Sequence, residues 1–432
     1  MKEELKSVRG CIDFGGTDAI IRSYIVKTLQ EIFEKYGYSP LETSLLCYYD
    51  LLALKYDEEN DILKEIYKVS DQGGRKLALR YDLTVPFAKY IATNPELKLP
   101  YKRYEIGKVF RDGPIKKGRA REFIQCDVDS VGIEGQMIEA ELISIFVEGY
   151  AKLGIDVVIK YNNRKIMNGI IQECTINKEK ASQVITIIDK FEKISKEELN
   201  NEFKNIGLNE NQIQKLYNYL NMEYNELQNT FFNTSNVVLK EGLNELEELN
   251  SYINELNLNN YVKFTPTLAR GQEYYTGTIF EAYIKDGSIT SSIGGGGRYD
   301  KMITEFINEG REYPAVGISF GLDVIFEILK EKDINKNVID VYIIPMENKV
   351  LALKIASKLR DENIKVDIQM TDLKMKKALS LANERNIPIV IILGENEIKE
   401  GKIIIKDMKK NTQICASMDK YISTVQEIVS NN

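Results

Sequence analysis

The stretch that decides the fold runs from Tyr101 to Gly132 and reads YKRYEIGKVFRDGPIKKGRAREFIQCDVDSVG. Tyr104–Arg111 alternates apolar and polar residues, as a half-buried strand does. Glu122–Val131 alternates in the same way, and the segment between the two runs is basic and contains Gly113, Pro114 and Gly118. The pattern therefore predicts two strands joined by a basic loop.

These two strands would bring charged side chains together. The first strand delivers Arg111 to the loop, and the second aligns Gln125, Asp127 and Asp129 on one face, because alternate strand residues point the same way. Guanidinium forks beside carboxylates suit a site that holds a polyphosphate and an ammonium group together. From the residues alone, a solvated hairpin with ordinary surface charge is the alternative interpretation.

A family resemblance favours the site over the solvated hairpin. Val109-Phe110-Arg111, followed by GRAREFIQCD at residues 118–127, resembles motif 2 of the class II aminoacyl-tRNA synthetases. In detail it is similar to the eukaryote-like histidyl-tRNA synthetase pattern, V-F-R and then G-R-x-R-E-F-x-Q-C-D. A match of this length and spacing is specific. The resemblance implies an α+β catalytic domain, with the class II antiparallel sheet and flanking helices.

Composition sets bounds on the protein. Its 432 residues are enough for two or three domains, and a net charge of −7 means that any binding of nucleic acid must be local. The five cysteines form no C-x-x-C pair, which predicts reduced thiols and a cytoplasmic location. Neither a membrane-spanning apolar run nor a signal peptide is recognisable, so no membrane association is expected.

The sequence contains no histidine and no tryptophan. Imidazole acid–base catalysis, Ser-His-Asp triads and histidine-ligated metals are therefore excluded. Any chemistry must use carboxylates, Arg, Lys, Tyr, backbone groups and bound ions. Activation of a phosphate by positioning and charge neutralisation fits that restriction.

Before the hairpin, residues 17–36 have the apolar spacing of an amphipathic helix, and a strand is predicted at residues 41–49. This pair resembles motif 1, which forms the dimer interface in class II enzymes, and so implies a homodimer. The spacing alone equally fits a helix packed within one subunit. The family pattern E-T-P is here Glu42-Thr43-Ser44.

Residues 80–84 read RYDLT and resemble a family segment that supplies an acid and a hydroxyl to the α-amino group of the amino acid. By match, those residues are Asp82 and Thr84. From the residues alone, Asp or Thr just before Pro86 is a good helix N-cap. Both roles are compatible, because one carboxylate oxygen can cap a helix while the other faces a ligand.

Residues 160–258 are rich in Asn, Glu and Lys and contain no proline. We interpret them as a helical insertion in the catalytic domain that is able to lie against tRNA. Their intermixed charges also fit an ordinary solvated surface.

Two further segments resemble histidine-specific motifs of the family. Residues 270–276 read RGQEYYT against the family's R-G-L-D-Y-Y-T, and residues 296–300 read GGRYD as in the family. The resemblance implies that Arg270 spans the histidine carboxylate and the α-phosphate. It also implies that Tyr275 and Tyr299 lie at the imidazole pocket, together with Asp129.

Ala315–Leu329 resembles motif 3, a glycine-rich strand followed by a helix. The class II pattern ends G-x-E/D-R, and its arginine contacts ATP. Here the segment reads Gly321-Leu322-Asp323-Val324, with valine in place of that arginine. Arg298 and Arg119 are the candidates to replace it.

The C-terminal part alternates strands and helices and predicts an α/β domain with a mostly parallel sheet. It resembles the anticodon-binding domain of the histidyl, prolyl, glycyl and threonyl enzymes. We therefore expect a catalytic domain at residues 1–330, a linker at 331–337 and an anticodon-binding domain at 338–432.

The resemblance implies that ATP and histidine give histidyl-adenylate and pyrophosphate, and that the histidyl group then passes to tRNA(His). Mg²⁺ is expected with ATP, and no metal ligand is assigned. The implied catalytic residues are Arg111 and Arg270. The histidine-binding candidates are Asp82, Thr84, Gln125, Asp129, Tyr274, Tyr275 and Tyr299. The ATP-binding candidates are Arg111, Arg119, Phe123, Arg270 and Arg298.

A non-catalytic histidine sensor, such as the regulatory subunit of ATP phosphoribosyltransferase, is the alternative. Val324 and Glu273 favour the sensor. The C-terminal domain and the intact motif 2 loop favour the synthetase.

Overall fold

The computed structural model describes residues 5–54, 61–115, 118, 120–269, 274–307, 312–332, 338–346 and 348–430. The chain divides into two compact units. The first contains Met1–Asp13 and Arg22–Leu329, and the second contains Phe14–Ile21 and Lys330–Asn432. Among the described residues, no helix is both long and apolar enough to cross a bilayer.

The first unit is built on an eight-stranded sheet with the strand order β1-β5-β6-β11-β10-β9-β7-β8. The pairings β1–β5 and β7–β8 are parallel and all the others are antiparallel. The bounds are β1 Ser39–Pro40, β5 Tyr101–Phe110, β6 Glu122–Val131, β7 Val157–Asn163, β8 Val262–Phe264, β9 Thr278–Ile284, β10 Gly294–Arg298 and β11 Ala315–Gly321.

The predicted hairpin forms the centre of this sheet. Strands β5 and β6 pair in continuous antiparallel register from Tyr101↔Val131 to Phe110↔Glu122. The second strand has the predicted bounds, whereas the first begins at Tyr101 instead of Tyr104. Arg103 therefore belongs to the strand and lies directly across from Asp129.

A smaller sheet has the order β2-β4-β3. Its strands are β2 Leu46–Tyr48, β3 Lys68–Ser70 and β4 Lys76–Leu79. The continuous strand predicted at residues 41–49 is wrong: Ser39–Pro40 pairs in the large sheet, and Leu46–Tyr48 pairs in the small one. A helix begins at Tyr49.

Helices cover this framework. Helix α1 extends over Gly16–Lys35, close to the prediction, and buries Ile25, Leu29, Ile32 and Phe33 completely. Helices α6 to α11 lie within the predicted insertion. The bounds are α2 Tyr49–Ala53, α3 Asp61–Lys64, α4 Thr84–Ala92, α5 Met137–Lys152, α6 Arg164–Glu173, α7 Ala181–Ile188, α8 Lys196–Asn205, α9 Glu210–Leu220, α10 Tyr224–Thr230, α11 Val237–Glu255, α12 Asp300–Ile307 and α13 Leu322–Glu331.

The second unit contains a sheet of order β13-β12-β14-β15-β16. The first two pairings are parallel and the last two antiparallel, so the prediction of a mostly parallel sheet is wrong at β15 and β16. These strands form a hairpin whose turn is fixed by the buried Asp407, which accepts hydrogen bonds from the backbone amides of Lys409 and Lys410. The bounds are β12 Val341–Ile344, β13 Val366–Ile368, β14 Ile389–Ile392, β15 Lys402–Asp407, β16 Thr412–Ser417, α14 Lys349–Asp361, α15 Met375–Glu384, α16 Glu395–Lys399 and α17 Tyr421–Ser430.

Candidate active site

A cavity of about 700 Å³ opens over strands β6, β10 and β11. Most of the side chains predicted from the sequence line it: Asp82, Thr84, Arg111, Phe123, Gln125, Asp129, Tyr274, Tyr275 and Tyr299. Side chains to which no role was assigned also line it: Asp127, Lys193, Ser291, Ser292, Ser319, Asp323 and Val324. Arg119 and Arg270 lie outside the described residues.

The cavity face of β6 carries Gln125, Asp127 and Asp129, as strand alternation predicts. Asp129 pairs across the sheet with Gly317 of β11. A Cβ at Gly317 would lie 1.9 Å from Asp129 Oδ1, so only glycine leaves room for this carboxylate.

Both oxygens of Asp129 are engaged. The Tyr299 hydroxyl donates a hydrogen bond of 2.5 Å to Oδ1, and Arg103 Nη2 lies 2.8 Å from Oδ2 in an ion pair. Tyr299 immediately follows β10, so this hydrogen bond connects β6 of the motif 2 hairpin with the GGRYD segment.

Arg103 is completely buried and is the positive charge at the base of the site. Besides its ion pair with Asp129, its Nη1 lies 3.6 Å from a carboxylate oxygen of Glu105. Glu105 in turn pairs with Arg80 at 2.7 Å. The guanidinium of Arg103 also lies 4.3 Å from the ring centroid of Phe87. This chain of buried charges was missed in the sequence.

The sequence did contain a signal for the missed charges. Arg103, Glu105 and Gly107 alternate along β5 and lie opposite Asp129, Asp127 and Gln125, respectively. Starting the strand at Tyr104 hid that periodicity. Gly107 has its own reason to be glycine, because a Cβ there would lie 2.3 Å from Arg80 Nη2.

Asp82 lies just before α4, and its two carboxylate oxygens have different surroundings, as the sequence interpretation allows. Its Oδ1 accepts a hydrogen bond of 3.1 Å from the Val85 amide, as an N-terminal cap does. Its Oδ2 is buried and has no hydrogen-bond partner among the described residues.

Burial and crowding raise the pKa values of these carboxyl groups. Burial raises the pKa of Asp82 to about 6, and the Val85 amide and Arg111 oppose that shift. Burial and then the neighbouring Asp129 charge raise the pKa of Asp127 to about 8, against the effect of Arg103. Burial also raises the pKa of Asp129, while Arg103 and Tyr299 act to lower it.

The phosphate-facing candidates are Arg111 and Phe123. Arg111 donates from Nε to the Tyr81 carbonyl at 3.0 Å, and its guanidinium carbon lies 5.1 Å from the ring centroid of Phe123. The contacts with a backbone carbonyl and an aromatic ring hold the Arg111 guanidinium in place through its Nε, so its Nη groups can face a ligand.

Tyrosines close another side of the cavity. The rings of Tyr274 and Tyr275 are 4.7 Å apart, and Tyr274 meets Tyr299 edge-on at 6.2 Å. Tyr275 packs over Gly297 of β10, where a Cβ would lie 2.8 Å from the tyrosine ring. Glycine in β10 thus lets an aromatic side chain rest on the strand.

Arg298 does not line the cavity. Its guanidinium is buried and forms an ion pair of 2.5 Å with Glu139 on α5. It also donates hydrogen bonds to the carbonyl oxygens of Gly135 and Ile133. Because Arg298 precedes Tyr299, strand alternation sends it to the face opposite the cavity, and this position does not favour the predicted contact with ATP, which stays a prediction.

The segment that resembles motif 3 also borders the cavity. Asp323 at the start of α13 accepts hydrogen bonds from Arg22 at 2.6 Å and from the Ile124 amide at 3.0 Å, which holds the helix against β6. Val324 faces Gly118 of the motif 2 loop, where a Cβ would lie 3.2 Å from the valine Cγ2. The valine therefore makes an apolar contact where the class II pattern has a cation.

Within the described part of the chain, no group of His, Cys, Asp or Glu residues has the arrangement of a metal centre. A Mg²⁺ ion is commonly bound through substrate phosphates with few protein ligands.

Comparison with known proteins places the chain in a family. The profile described as Histidyl-tRNA synthetase matches residues 10–325, and the profile described as Anticodon binding domain matches residues 340–428. Histidine--tRNA ligase 1 of Bacillus cereus is 45% identical over 416 residues, covering 95% of each chain. Histidine--tRNA ligase of Clostridium tetani is 34% identical, covering 96% of this chain and 97% of the relative.

Solved structures agree with the sequence relatives. The crystal structure of histidyl-tRNA synthetase from Nostoc sp. PCC 7120 superposes with a TM-score of 0.87 at 26% identity, covering 99% of both chains. A Bacillus halodurans protein described as an ATP phosphoribosyltransferase regulatory subunit/histidyl-tRNA synthetase superposes with a TM-score of 0.76 at 20% identity, covering 91% of this chain and 99% of that one. The second likeness is one of fold alone. By its sequence profile, its relatives and its fold, the chain belongs to the histidyl-tRNA synthetase family.

Proposed function

We propose that the protein is a histidine--tRNA ligase that activates histidine with ATP and transfers the histidyl group to tRNA(His). The observation that carries the proposal is the cavity face of β6. Gln125, Asp127 and Asp129 line the cavity there together with Tyr299 and Arg111. Acids, a phenol and a guanidinium in one cavity match the ammonium, imidazole and phosphate groups that must meet in this reaction.

In the proposed complex, Asp82, Thr84 and Gln125 hold the backbone groups of histidine. Asp129, Tyr274, Tyr275 and Tyr299 form the imidazole pocket. The contacts of Asp129 support this assignment, because a carboxylate held in place by Tyr299 and Arg103 can accept a hydrogen bond from an imidazole N–H without reorganising. A site that hydrogen-bonds a polar side chain rejects apolar analogues by about 10⁴-fold, so no editing step is required.

ATP would lie with its α-phosphate on Arg111 and its base against Phe123. Attack by the histidine carboxylate on the α-phosphorus builds negative charge there, which a fixed guanidinium stabilises in the transition state. Arg270, known here only from its sequence motif, is the second cation proposed to contact the α-phosphate and the histidine carboxylate. Arg119 is the third arginine assigned to ATP. Mg²⁺ bound to the phosphates would neutralise the leaving pyrophosphate.

The tRNA partner follows from the C-terminal profile match and the family. We place the reaction in the cytoplasm, in keeping with cysteines that form no disulfide among the described residues.

We propose a homodimer that uses the motif 1 region. The apolar face of α1 is already buried within the chain at Ile25, Leu29 and Ile32, which favours packing inside one subunit for that face. Leu46 and Tyr48 on the outer strand of the small sheet are 46% and 58% exposed, and they give the dimer proposal its support.

Histidine-dependent exchange of pyrophosphate into ATP tests the function, followed by charging of tRNA(His). We expect exchange with histidine alone and charging when tRNA is added. The fold is shared with the sensor class, so only activity separates the two functions. Binding of histidine without exchange would contradict the ligase assignment and would favour the histidine-sensing function.

A further inference from the structure

The cavity holds a set of buried acceptors without hydrogen-bond partners in the described part of the chain. They are Asp82 Oδ2, Gln125 Oε1, Asp127 Oδ1 and Asp129 Oδ2, and all of these residues line the same cavity. Asp82 and Asp127 are each 3% exposed. A buried acceptor without a donor is destabilising, which indicates that a ligand supplies the missing donors.

Asp129 differs from the other three residues because its Oδ2 forms an ion pair with Arg103 at 2.8 Å and its Oδ1 accepts a hydrogen bond from the Tyr299 hydroxyl. Asp127 lies one step nearer to Gln125 along β6 and directly across from Ser319 of β11. Its Oδ1 has neither a hydrogen-bond donor nor an ion-pair partner among the described residues.

An ammonium group presents N–H donors in three directions and accepts no hydrogen bond. Three of these acceptors, on Asp82, Gln125 and Asp127, have neither a hydrogen bond nor an ion pair among the described residues, and they match that number. They also match its charge, because carboxylates in a buried site need a cation and Arg103 is already shared by Asp129 and Glu105.

Resting on the proposed function, we propose that Asp127 completes a three-acceptor site for the α-ammonium of the substrate amino acid, together with Asp82 and Gln125. Asp127 is thereby a substrate-binding residue, distinct from Asp129 in the imidazole pocket.

Binding should also move a proton. The charged and titratable groups around Asp127 are Cys126 and Asp129 on its own strand, Arg103 and Glu105 on β5, Asp82 before α4 and Tyr299 after β10, with Ser319 as a neutral hydrogen-bond partner. In the empty cavity, burial and the Asp129 charge raise the pKa of Asp127 well above its ordinary value, which favours its protonated form near neutral pH. The incoming ammonium favours the carboxylate, and the proton leaves to solvent.

Isothermal titration calorimetry of the full chain with histidine, without ATP or tRNA, tests the proposal. Titrations at pH 7 in phosphate and in Tris buffer give the number of protons released. We expect Asp127→Asn to weaken histidine binding about 10- to 100-fold, as loss of a charge-assisted hydrogen bond does, and to reduce the proton release. The exposed Asp156→Asn is the matched control and should behave like the unmodified protein.

Two further ligands separate the contribution of the α-ammonium to binding from that of the imidazole ring. Histidinol keeps the ammonium and the imidazole, whereas imidazolepropionate lacks the ammonium. Asp127→Asn should weaken histidinol as much as histidine and leave imidazolepropionate unchanged. Equal weakening of imidazolepropionate, or unchanged histidine affinity in a variant with a normal melting curve, would overturn the proposal. If the unmodified protein binds no histidine, the proposed function itself fails.

Discussion

At the scale of single residues, the site depends on a balance between one buried guanidinium and several acids. Arg103 lies between Asp129 and Glu105, and burial works against its charge. The acids more than offset that effect and raise the pKa of Arg103. Its positive charge in turn limits the repulsion between Asp127 and Asp129.

Arg103→Met should therefore lower the free energy of unfolding by about 3–5 kcal/mol at pH 7, because it leaves uncompensated buried carboxylates. Urea unfolding measures the loss. Part of it should be recovered near pH 5, where the acids can protonate. Arg385→Met removes an exposed pair with Asp367 and should cost less than about 1 kcal/mol. Equal losses in the two variants would contradict the role of Arg103.

The raised pKa of Asp127 also links stability to pH. The folded state holds this proton up to about pH 8, whereas an unfolded aspartate releases it near its ordinary value of 3.8. The folded state thus binds more protons between these values. This contribution to stability is complete below the unfolded pKa and is lost as the pH rises through 8.

Asp127→Asn should flatten that dependence. From pH 5 to pH 8, the stability of the unmodified protein should fall relative to the variant by up to about 1.4 kcal/mol per pH unit. Urea unfolding of both proteins across this range measures the difference. A difference that is constant with pH would show that Asp127 does not hold the proton.

How far the sequence predicts the site can be seen in particular residues. Alternation along β6 placed Gln125 and Asp129 in one cavity, because one face of a strand has a fixed period of two. The partners of Asp129 are non-local. Tyr299 was found through a motif, and Arg103 was missed because its strand was started too late. The orientation of Arg298 was decided by Glu139, which is distant in sequence and carried no motif.

At the scale of elements, the glycines of β10 and β11 allow neighbouring strands and side chains to approach the backbone closely where the cavity lies. Gly296 would place a Cβ 2.0 Å from the Gly317 carbonyl, and Gly317 would place one 1.9 Å from Asp129 Oδ1. The space that these glycines leave is occupied by neighbouring strands and by the side chains of Asp129 and Tyr275.

Gly317→Ala should displace Asp129 from Tyr299 and weaken histidine binding by more than about 10-fold, because a charge-assisted hydrogen bond network is broken. Calorimetric titration measures the affinity, and a thermal melt checks that the variant folds. Gly73→Ala is the control, since its nearest contact would be an ordinary 3.5 Å. Unchanged affinity in folded Gly317→Ala would mean that Asp129 can move without loss.

Arg298 connects the end of β10 to the start of α5. Because its partners are Glu139, Asp300 and backbone carbonyls, Arg298→Met should lower the free energy of unfolding by about 3–5 kcal/mol. The KM for ATP of the folded fraction should stay unchanged. The double variant with Glu139→Leu should regain part of the stability. A raised KM for ATP with normal stability would instead restore the nucleotide role predicted from the sequence.

At the scale of the whole molecule, the absence of histidine makes one measurement unusually direct. Every imidazole signal in a complex with histidine belongs to the ligand, because the chain contributes none. The cavity presents Asp82, Asp127 and Asp129 against the buried charge of Arg103. Nearby negative charge favours an imidazolium, so the pKa of bound histidine should rise above its ordinary value of about 6.5 by about one unit.

A pH titration of ¹³C-labelled histidine bound to the protein, followed by NMR, measures this pKa. Asp129→Asn should move it back toward the free value, since that carboxylate is the one fixed beside Tyr299. The exposed Asp156→Asn should leave it unchanged. A bound pKa at or below 6.5 would mean that the pocket selects neutral imidazole. The acidic side chains would then interact with the α-ammonium alone, because they would stay protonated until the ammonium binds.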